Sequence, residues 1–256
     1  YADMNGFILG VHHFNNGIGA AVPQIEGINK TCPIRLVHTN YDTESSQTVA
    51  LDTFSRSFLE NPDQPPSAVF GAWRSAVSVP LAILTGVLGI PQFSPLSTST
   101  ELDDKVQYPL FSRLIPSDAG TARAAVAYFR NRLDASFLGV LYVNDSYGSA
   151  FHQAIQEAAV DREEGDQIEV KGYAFSYKES VDFDASEIEL AIKQLKESRF
   201  RVFFGVFYGT HYDIIMNYAY EYGIVGPEYL WIISDGLSPS YFENKRYDVG
   251  SPLAVA

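Results

Sequence analysis

Short apolar runs rich in β-branched and aromatic residues alternate with segments of helical period along nearly the whole chain, and no other feature limits its fold so sharply. The runs are "IRLVHTN" (34–40), "SAVFG" (67–71), "IPQFS" (90–94), "FLGVLYV" (137–143), "IEVKGYAF" (168–175), "RVFFGVF" (201–207) and "YLWIIS" (229–234). Residues 45–60, 74–88, 119–133, 148–164, 185–198 and 209–222 carry apolar residues at helical spacing. Strands alternating with helices of this length predict parallel sheets wound by right-handed crossovers, an α/β fold. The pattern divides after "IPQFSPLSTSTELDDKVQYPLFSRLIPSDAG", a long stretch without helical period. Residues 1–117 are expected to form most of one lobe, 118–245 the other, and 246–256 the start of a return segment.

Composition narrows the function. With 18 Lys+Arg against 31 Asp+Glu, the net charge of -13 repels phosphate backbones and anionic lipid, so nucleic acid is excluded as a partner. No apolar run approaches the ~18 residues of a membrane span. The single cysteine, Cys32, excludes an internal disulfide framework or a Cys-based zinc site. The chain opens at Tyr1 without methionine and stops at "SPLAVA", and reads as a piece of something longer. Asn29 ("NKT") and Asn144 ("NDS") are glycosylation triplets that suit a secreted protein, although about one is expected by chance.

In parallel α/β sheets, ligands collect beyond the carboxyl ends of strands, where helices begin. Four such joins carry suitable chemistry. In "FGAWRSAVS", Ser75 either caps the following helix or joins its neighbours' N–H groups in receiving a carboxylate, and Pro80 removes one N–H soon after. "SPLSTSTELDD" offers Ser97, Thr98, Ser99 and Thr100 in one loop, residues equally ordinary in loops. In "VNDSYGSAF", Tyr147 either lays its ring over a cation or covers the sheet edge. In "IISDG", Asp235 either pairs with an ammonium or makes an Asp-Gly turn. Tyr208, at the join after "RVFFGVF", is counted with them. Taken together, anion donors, hydroxyls, an aromatic face and a carboxylate complement an α-amino acid.

The same residues carry a resemblance. A Ser-x-Val element from Ser75, an Ile-Pro-Gln strand, a Thr-Ser-x-x-Leu loop, an Arg-x-x-Pro-Ser-Asp crossing, a Tyr-Gly helix start and a Ser-Asp-Gly strand end occur in the order found in type I periplasmic-binding proteins. The chain most resembles the receptor family ligand-binding region of class C G-protein-coupled receptors, the metabotropic glutamate and GABA type B receptors. That resemblance implies a two-lobed Venus flytrap truncated at both ends, with no cofactor. It implies a small amino acid or analogue as ligand, with Ser75 on its carboxylate and Thr98, Tyr147 and Asp235 round its amino group. A further serine of relatives falls on Leu96, with Ser97 beside it. Arg74 lies outside the glutamate-receptor pattern and either strengthens carboxylate binding or faces solvent. The resemblance also implies an extracellular position, a transmembrane region elsewhere in the protein, dimerisation through lobe I, and an upstream disulfide partner for Cys32.

An enzyme fits poorly. No G-x-S-x-G elbow accompanies the serines, and His211 reads as a polar residue in a helix's first turn. Glu163/Glu164 and Asp103/Asp104 read as solvated faces, and His12/His13 lack a metal-ligand set. The nearer rivals are a soluble solute-binding component of an ABC-type transporter and the effector-binding half of a repressor, which the fold cannot separate from a receptor.

Overall fold

A computed structural model describes residues 2–160, 167–176 and 185–237. The Glu163/Glu164 pair and the return segment 246–256 lie outside the described residues. The chain forms two compact units, residues 1–60 and 61–256.

The first unit holds helices α1 (Ala2–Asn16) and α2 (Gln47–Glu60). Between them the chain runs without regular structure through residues 33–43, so the strand expected at "IRLVHTN" is absent. Leu36 lies in that run, its N–H bonded to Asn15 Oδ1 and its carbonyl to Asn15 Nδ2, both at 2.8 Å. One side-chain amide thus supplies what a neighbouring strand would. Ile34 and Val37 are exposed. Apolar, β-branched residues favour a pleated surface only where another strand is present to form it.

The second unit contains two parallel sheets. The first is β1 (Val69–Phe70), β2 (Gln92–Ser94) and β3 (Phe111–Arg113), in that order, with helix α3 (Ser75–Val87) crossing from β1 to β2. Strand β3 lies within the stretch read as aperiodic: at three residues it is too short to show alternation. Pro80 sits in α3 without ending it. Around the carbonyl of Ala72, just beyond β1, the hydroxyls of Ser78, Ser94 and Ser97 converge at 3.0, 2.6 and 3.3 Å. This buried polar knot fixes the loop from which α3 starts.

The second sheet is built from β4 (Phe137–Val143), β5 (Glu169–Phe175), β6 (Val202–Val206) and β7 (Leu230–Ile233), in the order β5-β4-β6-β7. Helices α4 (Asp118–Leu133), α5 (Gly148–Val160), α6 (Ser186–Ser198) and α7 (Gly209–Glu221) alternate with these strands. Strand β4 reads as a nearly continuous apolar run because helices cover both faces of a parallel sheet. Phe129, Phe151, Phe203 and Phe207 are fully buried in the shared core. After β4 the chain goes to one side to make β5, then returns to β4's other side to make β6. Loops leaving β4 and β6 therefore diverge and leave a crevice at the strands' carboxyl ends.

Helix α4 begins on a local device. Ser117 Oγ accepts from Ala119 N–H at 3.4 Å and donates to Asp103 Oδ2 at 2.5 Å. We expect Ser117→Ala to cost about 1 kcal/mol through loss of this cap. A urea midpoint unmoved by the substitution would show that the cap contributes nothing.

Candidate functional site

The crevice between β4 and β6 receives Asp145 and Tyr147 from the β4–α5 join and Tyr208 from the β6–α7 join, with Asp235 following β7. Tyr147 is buried, its ring packed edge-on against Phe151 at 6.1 Å and tilted against Tyr208 at 5.4 Å. Its hydroxyl lies 2.9 Å from Ser234 Oγ and 3.2 Å from Asp235 Oδ1. Burial, and then the Asp235 charge, push this phenol well above its ordinary pKa, so it stays a neutral donor. The ring covers the sheet edge and the hydroxyl addresses the carboxylate, so both readings of this tyrosine describe part of it. Asp235 is exposed.

Two glycines allow these joins to approach so closely. A Cβ on Gly148 would stand 2.0 Å from the Val143 carbonyl oxygen, and one on Gly236 would stand 2.4 Å from that of Phe207. Backbone cannot yield to a side chain at such distances, so Tyr147 and Asp235 owe their positions to the hydrogen that follows each of them.

From the first sheet comes the start of α3. The N-cap position belongs to Arg74, which makes no side-chain cap bond, so Ser75 does not cap the helix as one reading allowed. Ser75 instead accepts from Ser99 N–H through Oγ at 3.2 Å, keeping its hydroxyl proton for another partner. Because it occupies the first helical turn, its backbone N–H lies outside the helix's own ladder. Ser97 is committed elsewhere: its hydroxyl lies 3.0 Å from the Trp73 carbonyl and 2.8 Å from Ser78 Oγ, in the knot around Ala72. Leu96 is exposed and offers no hydroxyl.

Thr98 leads to a residue that sequence reasoning overlooked. Its carbonyl accepts from Asp118 N–H at 3.0 Å, and its side chain hydrogen-bonds the Asp118 carboxylate. Asp118 is 1% exposed, and its Oδ2 is buried without a hydrogen-bond partner. Burial raises its carboxyl to about 7, helped by the charges of Asp235 and Asp103 and opposed by Thr98 and Arg113. In the sequence, its only signal is the "PSD" that ends the Arg-x-x-Pro-Ser-Asp crossing. Arg113 itself donates to the carbonyls of Ser97 and Ser99 at 3.2 and 3.0 Å and pairs with Asp103, so this loop is clamped. Asp103 and Asp104 are both exposed, as expected of a solvated face; there Asp103 pairs with Arg113 and accepts from Ser117, while Asp104 accepts from Val106 N–H at 2.8 Å.

Arg74 does not face solvent. Its Nη2 lies 2.9 Å from Asp145 Oδ2, tying the start of α3 to the second sheet. His211, in the first turn of α7, is buried; desolvation, and next the Arg74 charge, lower its pKa to about 4. It therefore stays neutral at physiological pH. Asn29 and Asn144 are both exposed.

A model of the receptor family ligand binding region matches residues 15–247. The chain belongs to this family. Among related proteins, the probable metabotropic glutamate receptor mgl-1 of Caenorhabditis elegans is 28% identical over 220 residues, 84% of this chain and 21% of its own length. The metabotropic glutamate receptor of Drosophila melanogaster is 31% identical over 130 residues, 50% of this chain and 13% of that protein. The G-protein coupled receptor family C group 6 member A of Carassius auratus is 31% identical over 137 residues, 49% and 15% of the two. The chain thus spans about a fifth or less of the length of these relatives. They and the ligand-binding family are receptors rather than enzymes, and the parallel sheets flanked by helices agree with the family's periplasmic-binding-protein-like fold.

Proposed function

We propose that this chain is the extracellular ligand-binding region of a membrane receptor, taking a small amino acid or related zwitterion between two lobes that divide near residue 117. The observation that carries this reading is the Tyr147 hydroxyl 3.2 Å from Asp235 Oδ1, with the buried carboxyl of Asp118 near enough to feel the Asp235 charge. A buried carboxylate with an unpartnered oxygen is costly unless a cation arrives to pair with it. An ammonium fits that need, and Ser75 with its backbone N–H suits the carboxylate at the other end of the same ligand. Thr98 links the two ends through Asp118. A ligand gripping both sheets binds the closed arrangement better than the open one, and that difference in affinity supplies the signal. Asn29 and Asn144 are the proposed glycan acceptors, and lobe I the proposed dimer contact.

Calorimetry on the full-length protein with the twenty amino acids, GABA and simple amines is expected to give saturable binding without turnover. Deaminated analogues should bind far more weakly. Absence of binding by every member of that panel would overturn the ligand class.

A further inference from the structure

Asp145 is held by four donors. Oδ2 takes Arg74 Nη2 at 2.9 Å and the Tyr208 hydroxyl at 3.0 Å, while Oδ1 takes the N–H groups of Tyr147 and Gly148, each at 3.0 Å. The guanidinium carbon stands 4.9 Å from the centre of the Tyr208 ring. Only 15% of the Arg74 side chain and 9% of the Asp145 side chain are exposed. A guanidinium, a phenol and two N–H groups at a helix start make a seat for an anion, and Asp145, tethered to the chain, fills it.

We infer that Asp145 is a specificity-determining residue, which denies Arg74 to the ligand and so selects against ligands with an anionic side chain. The inference rests on the amino-acid reading above. Arg74 adjoins Ser75, the residue placed at the ligand's carboxylate, so an uncompensated guanidinium there would draw a second carboxylate. Neutralised by Asp145, it contributes no net charge. Arg113, the other guanidinium of this region, is engaged with Asp103 and two carbonyls. What remains round the ligand is Asp235 together with Asp118, whose ionised form the ligand's ammonium favours; the two carboxylates then exceed that ammonium by one negative charge, which repels a ligand's anionic side chain and tolerates a neutral or cationic one.

L-Glutamine and L-glutamate differ by one charge at almost constant shape and form the test pair. The full-length protein should bind glutamine at least about tenfold more tightly than glutamate, and Asp145→Asn should narrow or invert that ratio by about tenfold. The same variant, with Arg74 no longer facing a carboxylate at position 145, should gain a sulfate-dependent rise in melting temperature that the parent protein lacks, and Arg74→Gln added to it should abolish that gain. Equal affinities in the parent protein, or an unchanged ratio in a folded Asp145→Asn variant, would overturn the inference. If neither amino acid binds, the ligand class fails separately; the sulfate response then supports the seat, and its absence overturns it. Should Asp145→Asn not fold, Arg74→Gln alone gives the converse reading: the released carboxylate should shift preference from glutamine toward L-arginine by about tenfold, and no shift would overturn the assignment.

Discussion

Asp118→Asn is expected to raise the melting temperature of the ligand-free protein at pH 8 and to leave it nearly unchanged at pH 4. The unfolded chain releases this proton near pH 4, whereas burial keeps it on the folded carboxyl to about pH 7. Between those values the folded state binds more protons than the unfolded one, so stability falls as pH rises, and the loss is complete above the folded pKa. The span corresponds to a penalty on the order of 2–4 kcal/mol at pH 8, which a neutral amide avoids. Ligand reverses the balance, because an ammonium beside Asp118 favours the ionised form. The variant should therefore be more stable when empty and poorer at binding amines, a trade common at functional sites. Melting curves at pH 4, 6 and 8 would check this; parallel profiles for the two proteins would mean that Asp118 ionises in the folded state as it does in water.

Asp235→Asn addresses the same ammonium from the other side. Losing a charged hydrogen-bond partner costs about 1.5–3 kcal/mol, roughly a 10- to 150-fold loss of affinity for amino acids. Deaminated analogues should lose much less, since they bring nothing for this carboxylate to hold. Asp235 is exposed, so the substitution should leave the melting temperature of the empty protein almost unmoved. Equal losses for both ligand types would remove Asp235 from the amino-group role.

How much of this was legible depended on whether the signal was local. The runs at 137–143 and 201–207 and the helices between them declare themselves, because a strand covered on both faces is apolar throughout. The joins were legible for the same reason: they are simply where one period gives way to the other. Residues 34–40 misled because strand formation needs a partner, and the polar group that bonds Leu36, Asn15, lies 21 positions away. Strand β3 escaped because three residues carry no period. Ser97 is one of four hydroxyls in its loop, yet it is turned inward to the carbonyls of Ala72 and Trp73. Asp118 and Asp145 carry no mark in the sequence that separates them from other acids at strand and helix joins. What sets them apart is the burial of one and the partner of the other, 71 residues away, and neither is written near them in the chain.

The order β5-β4-β6-β7 has a consequence for how such a receptor can change over generations. The crevice arises from the direction in which loops leave neighbouring strands, a property of chain routing and not of any side chain within it. Gly148 and Gly236 fix that routing, while the residues that face the crevice, Asp145, Tyr147 and Asp235, are carried on the joins and not on the strands themselves. Mutations there can rewrite what the cleft prefers while the apolar interior keeps the protein folded. Drift in ligand preference among descendants of one gene would then be concentrated in a few letters at strand ends, and paralogues with unlike agonists could share nearly the same skeleton.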